Sequence, residues 1–382
     1  MILSASGWRK VFAVSGDEQD KTPEISSSDT ALSVIAAETF FDYAVKKTGQ
    51  EFPVIAIGMD TRPTGSAICD AMIKALVCKK AVVQFTGITS APEIMAFSKK
   101  IDGFIYISAS HNPVGHNGIK FVMNDGGVLN AQENAILTEE FKKRLEEPEA
   151  ENKAFDRISK ASSSEVRTIY QNSKASKFNA LRAYEDFAVR TISGSEDKAR
   201  QNDFFEEIRN SMLLNPIGVV CDFNGSSRTL CIDRDFFGKN QIKFYEIHSE
   251  AGNIVHEIIP EAENLVHVAA EMERLHKEGH NEVLLGYMPD CDGDRGNIVY
   301  WDEKQQKACI LKAQEVFSLS VLAELTYSVW CNSGNKDFRP AVCVNCPTFM
   351  RIEEIASKLE ASVFRAEVGE ANVVNLAREK RE

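Results

Sequence analysis

Short apolar runs alternate with helix-like segments along most of the chain, and this alternation restricts the fold to the α/β class. In the first third, the pattern predicts helices over 31–47, 66–78 and 94–100 and strands over 54–57, 81–85 and 103–107. Strands and helices that alternate in this way form mixed, mainly parallel sheets with helices on both faces. Ligand-binding loops in such sheets follow the carboxyl ends of the strands.

The length of the chain predicts more than one domain. A chain of 382 residues exceeds what a single hydrophobic core usually serves. The α/β layout recurs, so two or three domains are expected, with divisions at residues 1–180, 181–304 and 305–382. The segment 150–210 is polar, with few glycines or prolines, and we interpret it as surface helices that join domains.

The loop after the predicted strand 103–107 concentrates reactive side chains. Ser110 stands between a small residue and His111, which suits an accessible hydroxyl. A proline at position 113 ends the strand, because proline cannot donate to a ladder. Asn117-Gly118 predicts a second tight turn, which would return Lys120 toward Ser110. A nucleophile, an acid–base group and a cation would then meet in one loop, although a plain polar turn is the alternative.

A second loop carries three alternating carboxylates, Asp290, Asp292 and Asp294, after an apolar run. Alternate side chains of an extended loop point the same way, so these charges would repel unless a hard cation gathers them. Oxygen ligands suit Mg²⁺ or Ca²⁺. An EF-hand would need glycine and glutamate at its sixth and twelfth positions, where this chain has Arg295 and Trp301. That reading is excluded, and a solvated acidic turn is the alternative that stays open.

Together the two loops resemble those of the α-D-phosphohexomutase superfamily, whose members include phosphoglucomutase, phosphomannomutase and phosphoglucosamine mutase. The matching runs are Ser-Ala-Ser-His-Asn-Pro at 108–113, Asn-Gly-Ile-Lys at 117–120 and Pro-Asp-Cys-Asp-Gly-Asp-Arg at 289–295. Two weaker matches stand in the expected order, Ser-Gly-Trp-Arg at 6–9 and Gly-Met-Asp-Thr-Arg-Pro at 58–63. The resemblance covers almost the whole chain.

The resemblance also implies a departure at the C-terminus. Members of the superfamily continue into a fourth, differently folded domain, and this chain is expected to lack it. The segment Val-Gly-Glu-Ala-Asn at 368–372 is similar to the sugar-recognition loop of the third domain, but it fits the segment before that loop better. The resemblance therefore implies three consecutive α/β domains around a cleft. They would be a phosphoserine-loop domain, a metal-binding domain and a partial sugar-binding domain, with no sugar-contacting residue assigned.

The chemistry implied by the resemblance starts from a phosphoryl group on Ser110. The phosphoserine would donate it to a hexose monophosphate, and the hexose 1,6-bisphosphate would return the other phosphate to Ser110. Mg²⁺ would be bound by Ser110 and the three aspartates. The side chains implied to assist are His111, Lys120, Arg9 and Arg62 as catalytic residues and Arg295 as a substrate ligand. For each of them a structural contact or a surface position is the alternative.

Composition and absent motifs exclude several function classes. A formal net charge of −12 argues against broad nucleic-acid binding. No run approaches the roughly 20 apolar residues that span a bilayer, and no signal peptide is evident. The nine cysteines are scattered, which is typical of a reducing cytoplasm. Motifs of an α/β-hydrolase around Ser110, of a P-loop and of a dinucleotide-binding fold are missing from the sequence.

The resemblance to this superfamily therefore implies a cytoplasmic phosphohexomutase whose partner is a small sugar phosphate, with glucose or mannose phosphates as substrates. A phosphoglucosamine mutase is one alternative. A catalytically incomplete module that binds sugar phosphate or metal, as a sensor or scaffold, is the other. The oligomeric state is not predicted.

Overall fold

The computed structural model describes residues 1–4 and 7–379 and forms two compact units, Met1–Cys309 and Ile310–Glu382. Ser6 of the N-terminal motif lies outside the described residues. The first unit contains two sheets and the second contains one. The α/β class with mixed sheets is thus confirmed, whereas the boundaries at residues 180 and 304 stay predictions.

The first sheet has six strands in the order β1-β2-β6-β5-β3-β4. The strands are β1 (Ile2–Ser4), β2 (Gly7–Val11), β3 (Val54–Met59), β4 (Val82–Ile88), β5 (Gly103–Ile107) and β6 (His116–Met123). β3 pairs in parallel with β4 and β5, as the alternation predicts. β6 returns antiparallel to β5, and β2 and then β1 extend this antiparallel half.

Helices cover this sheet and continue into the polar segment that follows it. They are α1 (Ser27–Thr48), α2 (Gly65–Cys78), α3 (Ala91–Ser98), α4 (Ala131–Leu145), α5 (Ala150–Ile158), α6 (Ser163–Gln171), α7 (Ser173–Ser193) and α8 (Lys198–Leu214). α1 begins where the Ser26 side chain accepts from Asp29 N and ends at Gly49 with φ 74°. Its apolar face packs into a core in which Trp8 lies edge-on to Phe121 at 4.8 Å.

The predicted turn at Asn117-Gly118 is wrong, because both residues lie inside β6. The chain turns earlier, where His116 N donates to Pro113 O at 3.0 Å. Glycine is required at position 118 because the chain segments approach closely there: a Cβ would lie 2.5 Å from the carbonyl oxygen of Ser108. Lys120 still returns toward Ser110, because the antiparallel register of β5 and β6 sets it opposite the end of β5.

The second sheet has the order β11-β10-β9-β7-β8. Its strands are β7 (Gly218–Asp222), β8 (Lys243–Ile247), β9 (Val283–Pro289), β10 (Gly296–Asp302) and β11 (Lys307–Ile310), with helices α9 (Asp233–Lys239) and α10 (Ala262–Lys277). β7 is parallel to both β8 and β9, while β10 turns back antiparallel to β9. The loops after β7, β8 and β9 therefore emerge at one edge of the sheet.

The second unit is a smaller α/β layer. Its strands β12 (Ala341–Asn345) and β13 (Ser362–Ala366) are parallel, and its helices are α11 (Ala313–Cys331), α12 (Arg351–Lys358) and α13 (Glu370–Arg378). Val321, Val344 and Ile352 are buried at its centre. Among the described residues, no helix is both long and apolar enough to cross a membrane.

Candidate active site

Ser110 lies in the loop three residues after β5, in a strained conformation that fixes its hydroxyl. Its φ of 55° is left-handed, which is unusual for a residue other than glycine. Ser110 N donates to Ser108 Oγ at 2.9 Å, and Ser110 Oγ donates to Asp290 Oδ2 at 2.8 Å. The side chain is only 1% exposed. The nucleophile predicted in the first loop and the first aspartate of the second loop are therefore in direct contact.

Arg62 holds the backbone of the serine loop. Its side chain is fully buried, and Nε donates to Asp60 Oδ2 at 3.1 Å. The two terminal nitrogens donate to four carbonyl oxygens of the loop, those of Ser110, Asn112, Pro113 and His116, at 2.5–3.2 Å. Asp60 in turn accepts from Arg62 N at 2.9 Å, so it fixes its own turn. The forked guanidinium thus positions the loop that carries Ser110.

Asp290, Asp292 and Asp294 form what we call the carboxylate cluster. One oxygen from each lies within 4.8 Å of the others, and Asp290 and Asp292 are fully buried while Asp294 is more open. The convergence comes from a turn rather than from an extended loop. Gly293, at φ 76°, donates its N–H to Asp290 O at 3.1 Å.

Neighbouring elements hold this acidic loop from outside. Ala91 N, at the start of α3, donates to Asp292 O at 2.8 Å. Ser227 Oγ donates to Cys291 O at 2.9 Å. The thiol of Cys291 is buried and lies 3.5 Å from Thr61 Oγ1. Cys291 therefore acts as a buried spacer between the aspartates.

Lys120 and Ser108 both donate to one oxygen of Asp292. Lys120 Nζ lies 2.8 Å from Asp292 Oδ2, and Ser108 Oγ lies 3.0 Å from the same atom. Lys120 Nζ is also 3.9 Å from Asp294. Burial would raise the pKa of Asp292, but the ammonium of Lys120 and the hydrogen bonds it receives lower that pKa to about 2. Asp292 is thus an anion in this site.

Asp290 has the opposite electrostatic situation. Burial raises its pKa well above the ordinary range, and the negative charges of Asp292 and Asp294 raise it further. The hydrogen bond from Ser110 is too weak to compensate for these effects. The single positive charge of Lys120 therefore does not balance the negative charges that three ionised carboxylates would carry at this distance.

The carboxylate cluster fits a hard divalent cation. Asp292 Oδ1 is buried and accepts no hydrogen bond from any described residue. Such an orphaned anionic oxygen is costly unless a cation or water meets it. Asp290, Asp294 and the hydroxyl of Ser110 add further oxygen donors around it. A site of few protein oxygens that a phosphate would complete is typical of Mg²⁺.

His111, Arg295 and Arg9 lie beside this centre. Arg295 Nη1 donates to His111 Nδ1 at 2.7 Å, so that nitrogen must be without a proton. Burial lowers the pKa of His111, and the charges of Arg295 and Arg9 lower it further, which keeps the imidazole neutral. His111 Nδ1 is 3.5 Å from Ser110 Oγ. Arg9 lies on β2 opposite Gly118, and Asp292 attracts its guanidinium.

The structure thus brings all nine predicted site residues to one place. Sequence reasoning missed Ser108, which joins Ser110 N to Asp292 and so links the two loops. The signal was present, because residues two apart at a strand end share one side. A cavity of about 250 Å³ lies next to the serine loop, between residues 111–114 and the segment 254–259.

A strained serine, a carboxylate cluster and surrounding cations define a site suited to phosphoryl transfer. Residues 6–147 match the family model described as "Phosphoglucomutase/phosphomannomutase, alpha/beta/alpha domain I". The chain therefore contains a domain of this type, and the family match extends from the N-terminal motif through the serine loop to just beyond α4.

Relatives and a solved structure agree with that match. A phosphoglucosamine mutase of Staphylococcus epidermidis is 40% identical over 91 residues, which cover 23% of this chain and 20% of that protein. A phosphoglucomutase/phosphomannomutase of Thermococcus kodakarensis is 36% identical over 103 residues, or 26% and 23% of the two chains. The alignments thus span about a fifth to a quarter of these relatives.

A crystal structure of a phosphoglucomutase/phosphomannomutase family protein from Burkholderia thailandensis has the same fold. It aligns with a TM-score of 0.61 at 16% identity and covers 99% of this chain and 68% of the other. The similarity extends well beyond the segment that the family model matches, so the second sheet and its acidic loop lie within the shared fold.

Proposed function

We propose that this protein is a phosphohexomutase, which interconverts hexose 1-phosphates and hexose 6-phosphates through a phosphoserine at Ser110. The contact between Ser110 Oγ and Asp290 Oδ2, at 2.8 Å within the carboxylate cluster, carries the proposal. A hydroxyl held at such a cluster can exchange a phosphoryl group whose charge a bound cation neutralises. The domain I match over residues 6–147 supports the same conclusion.

The carboxylate cluster and the phosphoserine would together hold Mg²⁺. The ion would supply neutralisation of the phosphoryl oxygens during transfer. A phosphate on Ser110 would otherwise add negative charge beside buried Asp290, whose pKa burial and the neighbouring carboxylates already raise. Phosphorylation of Ser110 should therefore depend on the divalent cation.

The transfer itself requires in-line positioning and a proton acceptor. The sugar hydroxyl oxygen bonds to phosphorus, the bond between phosphorus and Ser110 Oγ breaks, and the hydroxyl proton leaves. Neutral His111 can accept this proton at Nδ1, once the exposed Arg295 side chain no longer donates to that nitrogen. Lys120, paired with Asp292, adds positive charge near the phosphoryl group. The bisphosphate then turns round and returns its other phosphoryl group to Ser110 by the reverse of these steps.

The three arginines take different parts in this scheme. Arg62 is a positioning residue, since its donors are directed at Asp60 and at the carbonyls of the serine loop. Arg295 is exposed and can move from His111 to a substrate phosphate, for which a forked donor is well shaped. Arg9 is half-buried and contributes positive potential beside Asp292.

Glucose or mannose phosphates are the substrates we propose. A glucosamine phosphate is the second candidate, and the 40% identity with a phosphoglucosamine mutase over 91 residues favours it. Initial rates with glucose, mannose and glucosamine 1-phosphates, each primed with its bisphosphate, would rank the three. The nine free thiols suit a reducing compartment, and we place the enzyme in the cytoplasm.

The decisive experiment is peptide mass spectrometry across residues 105–121 after exposure of the protein to glucose 1,6-bisphosphate and Mg²⁺. We expect one phosphoryl group on Ser110 and none on neighbouring Ser108. Ser110→Ala and a triple Asp290→Asn, Asp292→Asn, Asp294→Asn variant should remain unmodified. A Ser110 that stays bare in the wild-type protein under these conditions would contradict the proposal.

A further inference from the structure

A second group of metal-ligating side chains lies outside the proposed catalytic machinery. Asp222, His248 and His256 each offer one ligand atom, and these atoms lie within 4.8 Å of one another. We call them the imidazole cluster. Asp222 is the last residue of β7, His248 follows β8, and His256 stands in the loop after it. The neighbouring strands β7 and β8 are parallel, so their carboxyl ends deliver these residues together.

A single buried carboxylate lies between the two imidazoles. His248 Nδ1 is 2.9 Å from Asp222 Oδ1, and His256 Nε2 is 3.0 Å from Asp222 Oδ2. Asp222 is fully buried, and Asn224 N also donates to Oδ1 at 2.9 Å. Both oxygens of one carboxylate and two ring nitrogens therefore converge in a small volume.

The hydrogen bond of His256 Nδ1 indicates whether Nε2, which faces Asp222, carries a proton. Its Nδ1 lies 3.0 Å from the carbonyl oxygen of Glu257, which can only accept, so Nδ1 carries the hydrogen. The neutral ring then presents an unprotonated Nε2 to an Asp222 oxygen at 3.0 Å. Two acceptors that face each other need a proton or a metal ion between them. Histidines that bind metals characteristically donate their other N–H to a carbonyl or carboxylate in this way.

We propose that the imidazole cluster binds a divalent cation of the zinc type, through Asp222, His248 Nδ1 and His256 Nε2. Two imidazoles and one carboxylate suit zinc, whereas the all-oxygen carboxylate cluster suits magnesium. Three protein ligands leave a further coordination position for water. This inference does not depend on the proposed mutase activity, because none of its residues belongs to the carboxylate cluster or the serine loop.

The cation would fix the position of the segment 254–259, which lines one side of the cavity beside the serine loop. His256 belongs to the segment 254–259, which faces residues 111–114 across that cavity. Asn224 already ties this segment to the end of β7, since its Oδ1 accepts from Val255 N at 2.9 Å and its Nδ2 donates to His256 O at 3.0 Å. A metal bound by Asp222 and His256 would add a stronger link at the same point.

Zinc binding to the metal-stripped full chain tests the proposal. Zn²⁺ would be titrated in competition with a chromophoric chelator, with excess Mg²⁺ present to occupy the carboxylate cluster. We expect one zinc ion per chain, and we expect His248→Gln and His256→Gln each to lower the affinity by about 10-fold or more. His280→Gln is the matched control, because His280 also faces a carboxylate, that of Glu282 at 3.5 Å, but belongs to no group of three metal-ligating side chains among the described residues.

X-ray absorption at the zinc edge of the wild-type complex gives a second measurement, which does not depend on how the variants fold. Scattering from two imidazole rings is the expected signature. A first shell made only of oxygen would overturn the proposal, as would a wild-type protein that binds no zinc. Equal zinc affinity in the wild type and a His248→Gln, His256→Gln double variant would overturn it too. A proton between His256 Nε2 and Asp222 would then account for their contact.

Discussion

The carboxylate cluster and the imidazole cluster lie at the same edge of the second sheet, but they balance their charges in opposite ways. β7 and β9 are parallel, so Asp222 and Asp290 stand at corresponding strand ends. Asp222 is partnered by two imidazoles, and its hydrogen bonds with His256 and His248 lower its pKa although burial opposes this. Asp290 is buried among other carboxylates, and its pKa is raised.

This difference separates two kinds of metal dependence. The carboxylate cluster stores electrostatic repulsion that a cation relieves, so its cation should affect both chemistry and stability. The imidazole cluster can be satisfied by a shared proton, so its cation should mainly fix the segment 254–259. Chain position alone therefore does not decide what a strand end binds; the neighbouring charges do.

Asp292→Asn should have the largest effect, because it removes a cation ligand and the nearer of the two carboxylates that face the buried Lys120 ammonium. We expect Mg²⁺-dependent phosphorylation of Ser110 to fall by more than about 100-fold. Loss of one partner of a buried ion pair should also lower the free energy of unfolding by about 3 kcal/mol. Phosphopeptide quantitation and urea denaturation measure the two effects.

Asp302→Asn is the control for that variant, since Asp302 is a solvent-accessible aspartate that accepts hydrogen bonds within its own turn. It should change neither quantity appreciably. If Asp292→Asn left phosphorylation intact, the carboxylate cluster would not be the centre of the reaction, and the contrast with the imidazole cluster would lose its basis.

Arg62→Lys should come next, because lysine keeps the charge but cannot reach four carbonyl oxygens with a planar fork. Several buried, charge-assisted hydrogen bonds would be lost, and we expect the free energy of unfolding to fall by about 2–3 kcal/mol. Ser110 would leave its strained conformation, and its phosphorylation should slow while zinc binding stays unchanged. Denaturant unfolding, phosphopeptide quantitation and the zinc titration measure these three quantities.

The matched control is Arg157→Lys, since Arg157 Nε pairs with buried Glu38 on α1 rather than with a carbonyl of the serine loop. It should leave the phosphorylation rate of Ser110 unaltered. A similar loss of phosphorylation in both variants would mean that the effect reports general destabilisation rather than the position of the serine loop.

The raised pKa of Asp290 predicts how stability depends on pH and Mg²⁺. The unfolded carboxyl titrates near its ordinary value of 3.8, whereas the folded one holds its proton to higher pH. The folded state therefore binds the extra proton, and stability should fall as pH rises from about 4 through the folded pKa. Mg²⁺ should remove this fall and release a proton on binding. Thermal unfolding at several pH values, with and without Mg²⁺, measures the effect.

Asp290→Asn should lack this pH-dependent component, because the amide does not titrate. Identical pH profiles of the wild-type protein with and without Mg²⁺ would contradict the assignment of the cation to the carboxylate cluster.

The contrast between the clusters also explains what the sequence could predict. Asp290, Asp292 and Asp294 are local in the chain and follow an apolar strand, so their convergence was visible as a motif. Asp222 and His256 are separated by 34 positions. His248 lies beside Asp222 because the parallel register of β7 and β8 pairs Asp222 with Ile247. The periodicity of the sequence does not predict that register.

The serine loop shows a further limit of local patterns. Asn-Gly is a strong turn signal, but at positions 117 and 118 the close approach of the Ser108 carbonyl decides the conformation, and the pair lies in a strand. The role of Arg62 was equally hidden, because its carbonyl partners belong to a loop about 50 positions away. The residue types of the site could be predicted, whereas the contacts that hold them required the fold.

The smallest effect should come from His267→Gln, which tests whether His267 is a ligand of the proposed zinc ion. His267 lies on α10, and its ring stacks on His256 with centroids 4.3 Å apart and planes 13° apart. Stacking of this kind contributes about 0.5 kcal/mol or slightly more, so zinc affinity should change by only about 2- to 3-fold. His267→Phe keeps an aromatic ring without a ligand nitrogen, and it should restore the wild-type affinity. If both variants instead lost zinc binding while His248→Gln kept it, the metal would be held by His256 and His267, and His248 would serve only as a hydrogen-bond partner of Asp222.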